Sequence, residues 1–524
     1  MEKRINQLRE IREKLKLGGG QDKIDKVHAK GKLSARERVD MLMDPGSVVE
    51  FGTLVGYRYN SPADGLIAGH GTINGRRVCF YCQDPTVQGG SIGMKHGFKM
   101  YTTVERAMDM KVPFIGLHDS PGARMPKLDS GAQSAFGGGE GEMGAISDKN
   151  GGSIFFPNTH ASGYVPQISA ILGNCAGISV YSPALNDFIF MTDKSNMYIT
   201  GPRMVKSVMH EDVTGDDLGG SKIHTQKSGV ADLRFPTEED CFNGIKELLS
   251  YLPSNCEEKP PRVETGDDPT RFDDELADIV PSDSTRAFDM RKVIRKIADN
   301  GKYFEIKPEF AKEMTVGFGR LDGYSVGFVA NNSMTMAGSL TVDSSDKQAR
   351  FIRFCDCFNI PLVFLIDTSA YLPGSVQEHA GIIRHGAKVL YALCESTVPR
   401  VAVTIRKAYG GGNLGMGCLP GLNTDMIFQW PIVEAGVMGP RQAVNLFYAA
   451  EIMAADDPDK VREEKLKEYQ ELAGNPFNMA SDNIFTEDII EPRETRRVLI
   501  NSLSLLREKK KNIGKPKKHG NIPL

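Results

Sequence analysis

Two short stretches of this 524-residue chain carry residue types suited to holding a developing negative charge with main-chain amides. One is Asn174-Cys-Ala-Gly177-Ile178-Ser179, which follows the apolar run 168–173. The other is Arg406-Lys-Ala-Tyr-Gly410-Gly411-Gly412-Asn413, which follows the apolar run 401–405. A buried strand running into small residues at a helix start aims free N–H groups at one point. Such a group of donors can stabilise an enolate or a thioester oxyanion, and losing one donor typically costs ~10²–10³ in rate. A single glycine turn is weak evidence. Two of them after equivalent strands point to two oxyanion sites.

Side-chain catalysis has less to show. The chain has no G-x-S-x-G elbow, no H-E-x-x-H pair and no Walker phosphate loop. Cys79 and Cys82 form a C-x-x-C inside an apolar run, and no second ligand pair follows at metal spacing, so they read as buried strand thiols. Glu378, His379, Arg384 and His385 cluster on a glycine-bearing helix and read as structural or interface groups rather than an acid–base set. Asp119 and Asp367 end apolar strands; capping of the loop backbone is favoured over a role as bases.

The elements that position these turns come from a duplication. Gly69, Gly71, Gly75, Val78, Phe80, Gly90, Ser91, Lys99, Pro113, Leu117 and Asp119 each recur 248 residues later, from Gly317 to Asp367, without a gap. A period of that length excludes a solenoid, whose unit is ~20–50 residues, and implies two related domains in tandem. In each copy a hairpin (69–82 or 317–330) precedes a helix (95–110 or 345–358) and a buried strand (112–118 or 360–366). That order is the signature of β-α-β crossovers and an α/β domain. Val165-Pro166 then matches Val398-Pro399 at an offset of 233, so the first copy carries 248 − 233 = 15 extra residues. They fall in the glycine-rich stretch 127–156, which reads as a mobile loop rather than a lid.

Upstream, Ile5, Leu8, Ile11 and Leu15 have helical spacing that Gly18-Gly19-Gly20 ends, and Ser34-Ala-Arg-Glu37 is a capping box. The segment 254–285 reads as an interdomain linker. The expected division is therefore 1–258, a linker 259–285, and 286–524. The stretch 507–518 holds seven Lys or Arg against one Glu and reads as a solvated tail. A net charge of −3 gives no reason to expect a nucleic-acid partner. No apolar run approaches the ~18 residues of a membrane span and no signal-peptide core follows the first residues, so a cytoplasmic location is expected.

Further blocks carry a family resemblance. His28-Ala-Lys-Gly-Lys-Leu-Ser-Ala-Arg-Glu-Arg38, Tyr181-Ser-Pro-Ala-Leu-Asn-Asp-Phe188, Ile199-Thr-Gly-Pro202 and Gln377-Glu-His-Ala-Gly-Ile-Ile-Arg-His-Gly386 resemble those of biotin-dependent acyl-CoA carboxyltransferases. So do Lys407-Ala-Tyr-Gly-Gly411, Val437-Met-Gly-Pro440 and Lys518-His-Gly-Asn-Ile-Pro-Leu524. The pattern is most similar to the β subunits of propionyl-CoA carboxylases and the α subunits of methylmalonyl-CoA decarboxylases.

The resemblance implies two tandem crotonase-like (ClpP/crotonase) α/β domains, assembled as a homohexamer. It implies an acyl-CoA on the N-terminal domain, with Gly177 and Ile178 on the thioester oxygen. It also implies biotin on the C-terminal domain, with Gly411 and Gly412 on the ureido oxygen. Ala176, Ser179, Gly122, Ala123, Tyr371, Asn413 and Leu414 flank these amides as candidate substrate contacts. No protein base is needed, because the ureido group removes the α-proton. No Ala-Met-Lys-Met segment occurs, so the biotin is expected on a separate carrier protein. The partner is then a biotin carboxylase or, for a sodium-pumping decarboxylase of methylmalonyl- or glutaconyl-CoA, a membrane β subunit.

The chain departs from the family pattern where Gly-Gly-Ala is Gly177-Ile178-Ser179 and Gly-Gly-Ala-Tyr is Gly410-Gly411-Gly412-Asn413. It also has Asp367-Thr-Ser-Ala-Tyr371 for Asp-Thr-Pro-Gly-Phe/Tyr, and Asp119-Ser-Pro-Gly122 for Asp-Ser-Gly-Gly. Backbone donors survive these changes, but a branched side chain at Ile178 implies an altered acyl pocket. The rival readings are a biotin-free crotonase-like hydratase or isomerase and a non-catalytic scaffold. The first needs a Glu pair or a Ser-His-Asp set that the first copy does not offer.

Overall fold

The hairpin that opens each repeat fixes the register of the sheet behind it. In the computed structural model, which describes residues 1–124, 155–472, 475–482, 486–509 and 518–523, the chain divides into two units, Met1–Glu258 and Lys259–Leu524. The first holds strands β1 (Val49–Glu50), β2 (Leu66–Ile73), β3 (Arg76–Gln83), β4 (Phe114–Ser120), β5 (Gln167–Ala176), β6 (Phe188–Thr192), β7 (Asn196–Tyr198) and β8 (Leu233–Phe235). The second holds β9 (Phe304–Ile306), β10 (Met314–Leu321), β11 (Tyr324–Asn331), β12 (Leu362–Thr368), β13 (Arg400–Tyr409), β14 (Met426–Gln429), β15 (Glu434–Gly436) and β16 (Asp488–Ile489). Each unit is one eight-stranded sheet, ordered β1-β2-β3-β4-β5-β6-β8 and β16-β14-β13-β12-β11-β10-β9, with β7 on β5 and β15 on β13.

The two sheets share their pairing residue for residue. Gly69 faces Phe80 and Gly71 faces Val78 across β2 and β3, as Gly317 faces Phe328 and Gly319 faces Val326 across β10 and β11. From β3 and β11 onward the pairs are parallel, which requires helical crossovers. Helices Met94–Met110 and Val342–Cys357 supply the first of them in each unit. The second starts three residues before the expected 345, because Thr341 and Ser344 cap each other through side chain and amide. Both strands that follow run two residues later than expected, so Asp119 and Asp367 lie inside β4 and β12 rather than in the turns beyond.

Each sheet has its own core. Leu66, Tyr81, Met100 and Phe114 belong to one in the first unit; Phe328, Leu365, Val403 and Trp430 belong to that of the second. Residues 259–285 are not a free linker. Leu276 and Val280 are buried in the second core, Val263 donates its amide to Gly323 O at 3.0 Å, and Arg320 Nη1 donates to Pro261 O at 3.1 Å. Buried apolar side chains at 276 and 280 outweigh the acidic composition from which a linker was expected. The helices Glu2–Lys16 and Ala35–Leu42 form as their patterns predict, the second with the Ser34–Glu37 capping box in place. Most of the stretch 127–156 lies outside the described residues. Among the described residues no helix is long and apolar enough to cross a membrane.

Candidate functional site

Both glycine turns are built by the same backbone device. Ala176 ends β5 in an extended conformation, and Gly177 follows with φ +60°. Tyr409 ends β13 likewise, and Gly410 follows with φ +50°. The left-handed region at the strand end turns the chain abruptly into the helical residues 177–185 and 410–415. A side chain there would be strained whatever the space around it. The first amides of such a turn have no carbonyl within the helix to donate to. They are therefore available at 177–179 and at 410–412.

Strand pairing fixes which residues correspond. Cys175 lies beside Ser120 across β5 and β4, and Ala408 lies beside Thr368 across β13 and β12. The offset is 233 in the glycine strands and 248 in the strands beside them. Gly177, Ile178 and Ser179 thus match Gly410, Gly411 and Gly412. The pairs expected from the sequence, Gly177–Ile178 and Gly411–Gly412, are one residue out of step with each other. Gly410 carries the equivalent backbone turn, and counting forward from Val398-Pro399 at the offset of 233 would have found it.

The neighbouring residues gather around each turn. A Cβ on Gly122 would lie 2.6 Å from Ala176 O, so the chain after β4 packs directly on the end of β5. Ile92 N donates to Gly122 O at 2.8 Å and Arg124 N to Ile92 O at 3.0 Å, pairing Ala123 with Ile92 in a parallel bridge. Leu340 and Tyr371, each 248 residues on, form the same bridge. Ser179 is fully buried, with its hydroxyl 2.8 Å from Ala176 O. Ile178 is half-buried and packs against the first unit's core. Its side chain is therefore held by the protein and does not stand free.

In the second unit, a cavity of about 900 Å³ is lined by Tyr371, Lys407, Tyr409, Gly410, Gly411 and Glu434. Three glycines make room for the Tyr371 ring. A Cβ would lie 3.2 Å from it at Gly386, 3.3 Å at Gly411 and 2.7 Å from its hydroxyl at Gly415. Burial pushes that phenol up to about 12. Lys407 Nζ lies 3.1 Å from Ser369 Oγ, and burial lowers its pKa. Tyr409 OH donates to Glu434 Oε2 at 2.6 Å. Gly412 and Asn413 are more enclosed, whereas Leu414 is 41 % exposed. Lys407 and Tyr409 belong to the block Lys407-Ala-Tyr-Gly-Gly411, which does not single them out as site residues, and sequence reasoning missed Glu434, which carries no motif.

The remaining side chains settle as structural groups. Asp119 takes Arg38 Nη2 at 3.1 Å, and Asp367 takes Arg406 Nε and Nη2 at 3.2 and 2.9 Å. They are neither loop caps nor bases but buried anchors for the strands, because each lies inside its strand with an arginine in reach. His385 Nδ1 lies 2.9 Å from Asp346, which Lys388 also meets at 2.8 Å, tying two helices together. Cys79 and Cys82 are buried in β3, and burial lifts their thiols to about 11 and about 12. Among the described residues no cluster of His, Cys, Asp or Glu is placed to hold a metal ion.

Comparison with known proteins gives a consistent result. The model of the carboxyl transferase domain family matches residues 26–522. A propionyl-CoA carboxylase carboxyltransferase subunit from Haloferax mediterranei is 49 % identical, with 100 % of each chain covered. A methylmalonyl-CoA decarboxylase α subunit from Veillonella parvula is 44 % identical over 100 % of this chain and 99 % of the relative. A crystal structure of transcarboxylase 12S, described as a hexamer assembly with methylmalonyl-coenzyme A bound, superposes with a TM-score of 0.92. It is 43 % identical and is matched over 100 % of this chain and 98 % of that one.

Proposed function

The chain belongs to the carboxyl transferase family, and from that premise we propose that it moves a carboxyl group between biotin and the α- or vinylogous γ-carbon of an acyl-CoA. The observation that carries the reading is the repeated turn: an extended strand end, a left-handed glycine and free amides, at 177–179 and again at 410–412. One turn serves the thioester oxygen and the other the ureido oxygen of biotin. Each places donors where negative charge builds, and each donor is worth ~10²–10³ in rate.

The residues of the second unit fit biotin. Its cavity of about 900 Å³ is of the size that takes a small molecule, roughly 300–1,000 Å³. The Tyr371 ring gives it an apolar wall beside the amides of Gly410 and Gly411. Bound there, biotin would supply the carboxyl carrier and the base. The chain's own part is to hold both ligands by main-chain donors and to fix their approach.

In this reading the acyl-CoA lies on the first unit, with Gly177, Ile178, Ala176, Ser179, Gly122 and Ala123 about its thioester. Tyr371, Asn413 and Leu414 surround biotin with Gly411 and Gly412. The biotin arrives on a separate carrier protein, and the assembly is a homohexamer; the transcarboxylase neighbour is described as a hexamer assembly. The relatives include carboxylase and decarboxylase subunits, so the partner is a biotin carboxylase or a membrane decarboxylase subunit. Purified protein should decarboxylate a malonyl-type or glutaconyl-type CoA with free biotin as acceptor. A folded assembly inactive on a broad panel of carboxylated acyl-CoAs would overturn the proposal.

A further inference from the structure

The wall of the second unit's cavity carries a charge that the first unit lacks at the matching place. Lys407 lies opposite Glu434 across β13 and β15, and Asn174 lies opposite Asn196 across β5 and β7. Lys407 and Asn174 each stand two residues before the end of the strand that enters the glycine turn. Where the first unit has two neutral amides, the second therefore has a cation and an anion. These two do not form an ion pair. Tyr409, which stands where the first unit has Ala176, donates to Glu434 Oε2 at 2.6 Å. Lys407 turns instead to neutral groups, Ser369 Oγ at 3.1 Å and Ala337 O at 3.4 Å.

This leaves a buried ammonium without a carboxylate. Lys407 is 6 % exposed, and burying an unpaired charge is costly. The other charges about the cavity are met from within the protein. Arg441 pairs with Glu463 at 2.9 Å, and Asp283 accepts from Thr285 N and Oγ at 2.9 and 2.7 Å. Asp367, whose charge reaches Lys407, is gripped by Arg406. Among the described residues no carboxylate takes a hydrogen bond from Lys407. Ala473 and Gly474, the residues outside them that follow the cavity-lining Gln470, are uncharged. An ammonium has three N–H donors. Two are accounted for, and the third is left on the wall of the cavity that Gly410 and Gly411 also line.

We propose that Lys407 binds the carboxylate carried on the ureido nitrogen of carboxybiotin, an inference that rests on the carboxyl-transfer reading. With the ureido oxygen on the amides of the second turn, that carboxylate sits on the adjacent nitrogen within the same cavity. A hydrogen bond from a desolvated ammonium to a carboxylate is of the strong, charge-assisted kind. Tyr409 contributes by occupying Glu434, which would otherwise compete for the lysine.

The test uses two stable ligands. Biotinamide is uncharged, and 1′-N-carboxymethylbiotinamide carries a carboxylate on a ureido nitrogen. Ligand-observed NMR titration of the purified assembly gives both dissociation constants. The anionic ligand should bind about tenfold tighter than the neutral one. Lys407→Met should abolish that preference and leave biotinamide within about twofold of the parent. Its loop keeps the bond from Ser369 Oγ to Ala337 O at 3.2 Å, and Lys407→Gln stands in if the methionine variant does not fold. Equal affinity of the parent for the two ligands would overturn the proposal and leave the transfer reading standing. Parallel weakening of both ligands by Lys407→Met would also overturn it, assigning the lysine to holding residues 337 and 369. Binding of neither ligand by folded protein would remove the biotin site itself, and the transfer reading with it.

Discussion

Arg406 grips Asp367 through two nitrogens, and solvent reaches neither side chain. The equivalent aspartate, Asp119, has no arginine on the adjacent strand, because the position matching Arg406 is Gly173. A Cβ at Gly173 would lie 2.0 Å from Asp119 Oδ1. The cation comes instead from Arg38, on the helix Ala35–Leu42, which also holds Glu238 at 2.8 and 2.9 Å. One anchor is kept in both units and supplied from two different places in the sequence.

The two anchors should therefore fail differently. Removing one member of a buried pair leaves an uncompensated charge, at about 3–5 kcal/mol. Arg406→Met should cost that much or more, since Arg406 Nη1 also donates to the carbonyls of Pro281, Asp283 and Arg286. Asp119→Asn should cost less than Asp367→Asn, because Arg38 keeps Glu238. Denaturant unfolding of the variants at one protein concentration gives the ranking, and equal losses at 119 and 367 would contradict it.

The repeat was legible because its identities are residues with fixed geometric duties. Lys99 Nζ donates to the carbonyls of Leu66 and Ala63, and Lys347 Nζ donates to those of Met314 and Ala311, each 248 residues on. Gly90 and Gly338 each leave room for an aspartate carbonyl that a Cβ would approach to 2.4 Å. Such constraints survive in sequence as unchanged residues. The supply of Arg38 to Asp119 does not, because nothing local encodes a partner 81 positions away. The glycines themselves do not mark the one-residue offset between the donor pairs, since Gly410, Gly411 and Gly412 are alike in sequence and differ only in backbone conformation; only the 233-residue offset of Val398-Pro399 carries it.

Ile178 offers a substitution with two readouts. It packs on the first core while lying next to the left-handed Gly177. Ile178→Ala should lower stability by about 1–2 kcal/mol, as expected for a half-buried aliphatic group. If part of the side chain also borders the acyl group, the ranking of acyl-CoA substrates should shift toward longer chains, by roughly 1–3 kcal/mol per methylene. Loss of stability with an unchanged ranking would place the side chain wholly in the core.

Two buried imidazoles make the first unit sensitive to acid. Burial lowers His96 to about 4 and His118 to about 3. Unfolded, both titrate near 6.5, so between these values the unfolded chain binds more protons. Stability then rises with pH across that window and is lost as pH falls below about 6.5, each group contributing up to about 1.4 kcal/mol per pH unit. His118→Gln keeps a hydrogen-bonding group near Ser169 Oγ, which lies 3.0 Å from His118 Nε2, but cannot take the proton. Its stability between pH 4 and 6.5 should fall less steeply than that of the parent. Parallel curves would show that His118 does not titrate on unfolding.

Proline at each amide of the second turn identifies the donors, since proline removes an N–H and little else if the turn tolerates it. If the two units use equivalent pairs, the sensitive positions are either 177 and 178 with 410 and 411, or 178 and 179 with 411 and 412. Position 411 is common to both, so Gly411→Pro should lower carboxyl transfer ~10²-fold or more. Gly412→Pro then discriminates, subject to tight packing, because a Cβ there already lies 3.0 Å from Thr368 Oγ1 and from Ala370. Gly412→Ala, which keeps the amide but adds the same crowding, is the control for that packing. A loss with proline that alanine does not reproduce assigns the donor to Gly412, and equal losses assign the effect to packing. Acyl-CoA affinity should be retained in every case, because that ligand is expected on the first unit. Parallel loss of affinity and transfer at 411 would show that the two turns do not serve separate ligands.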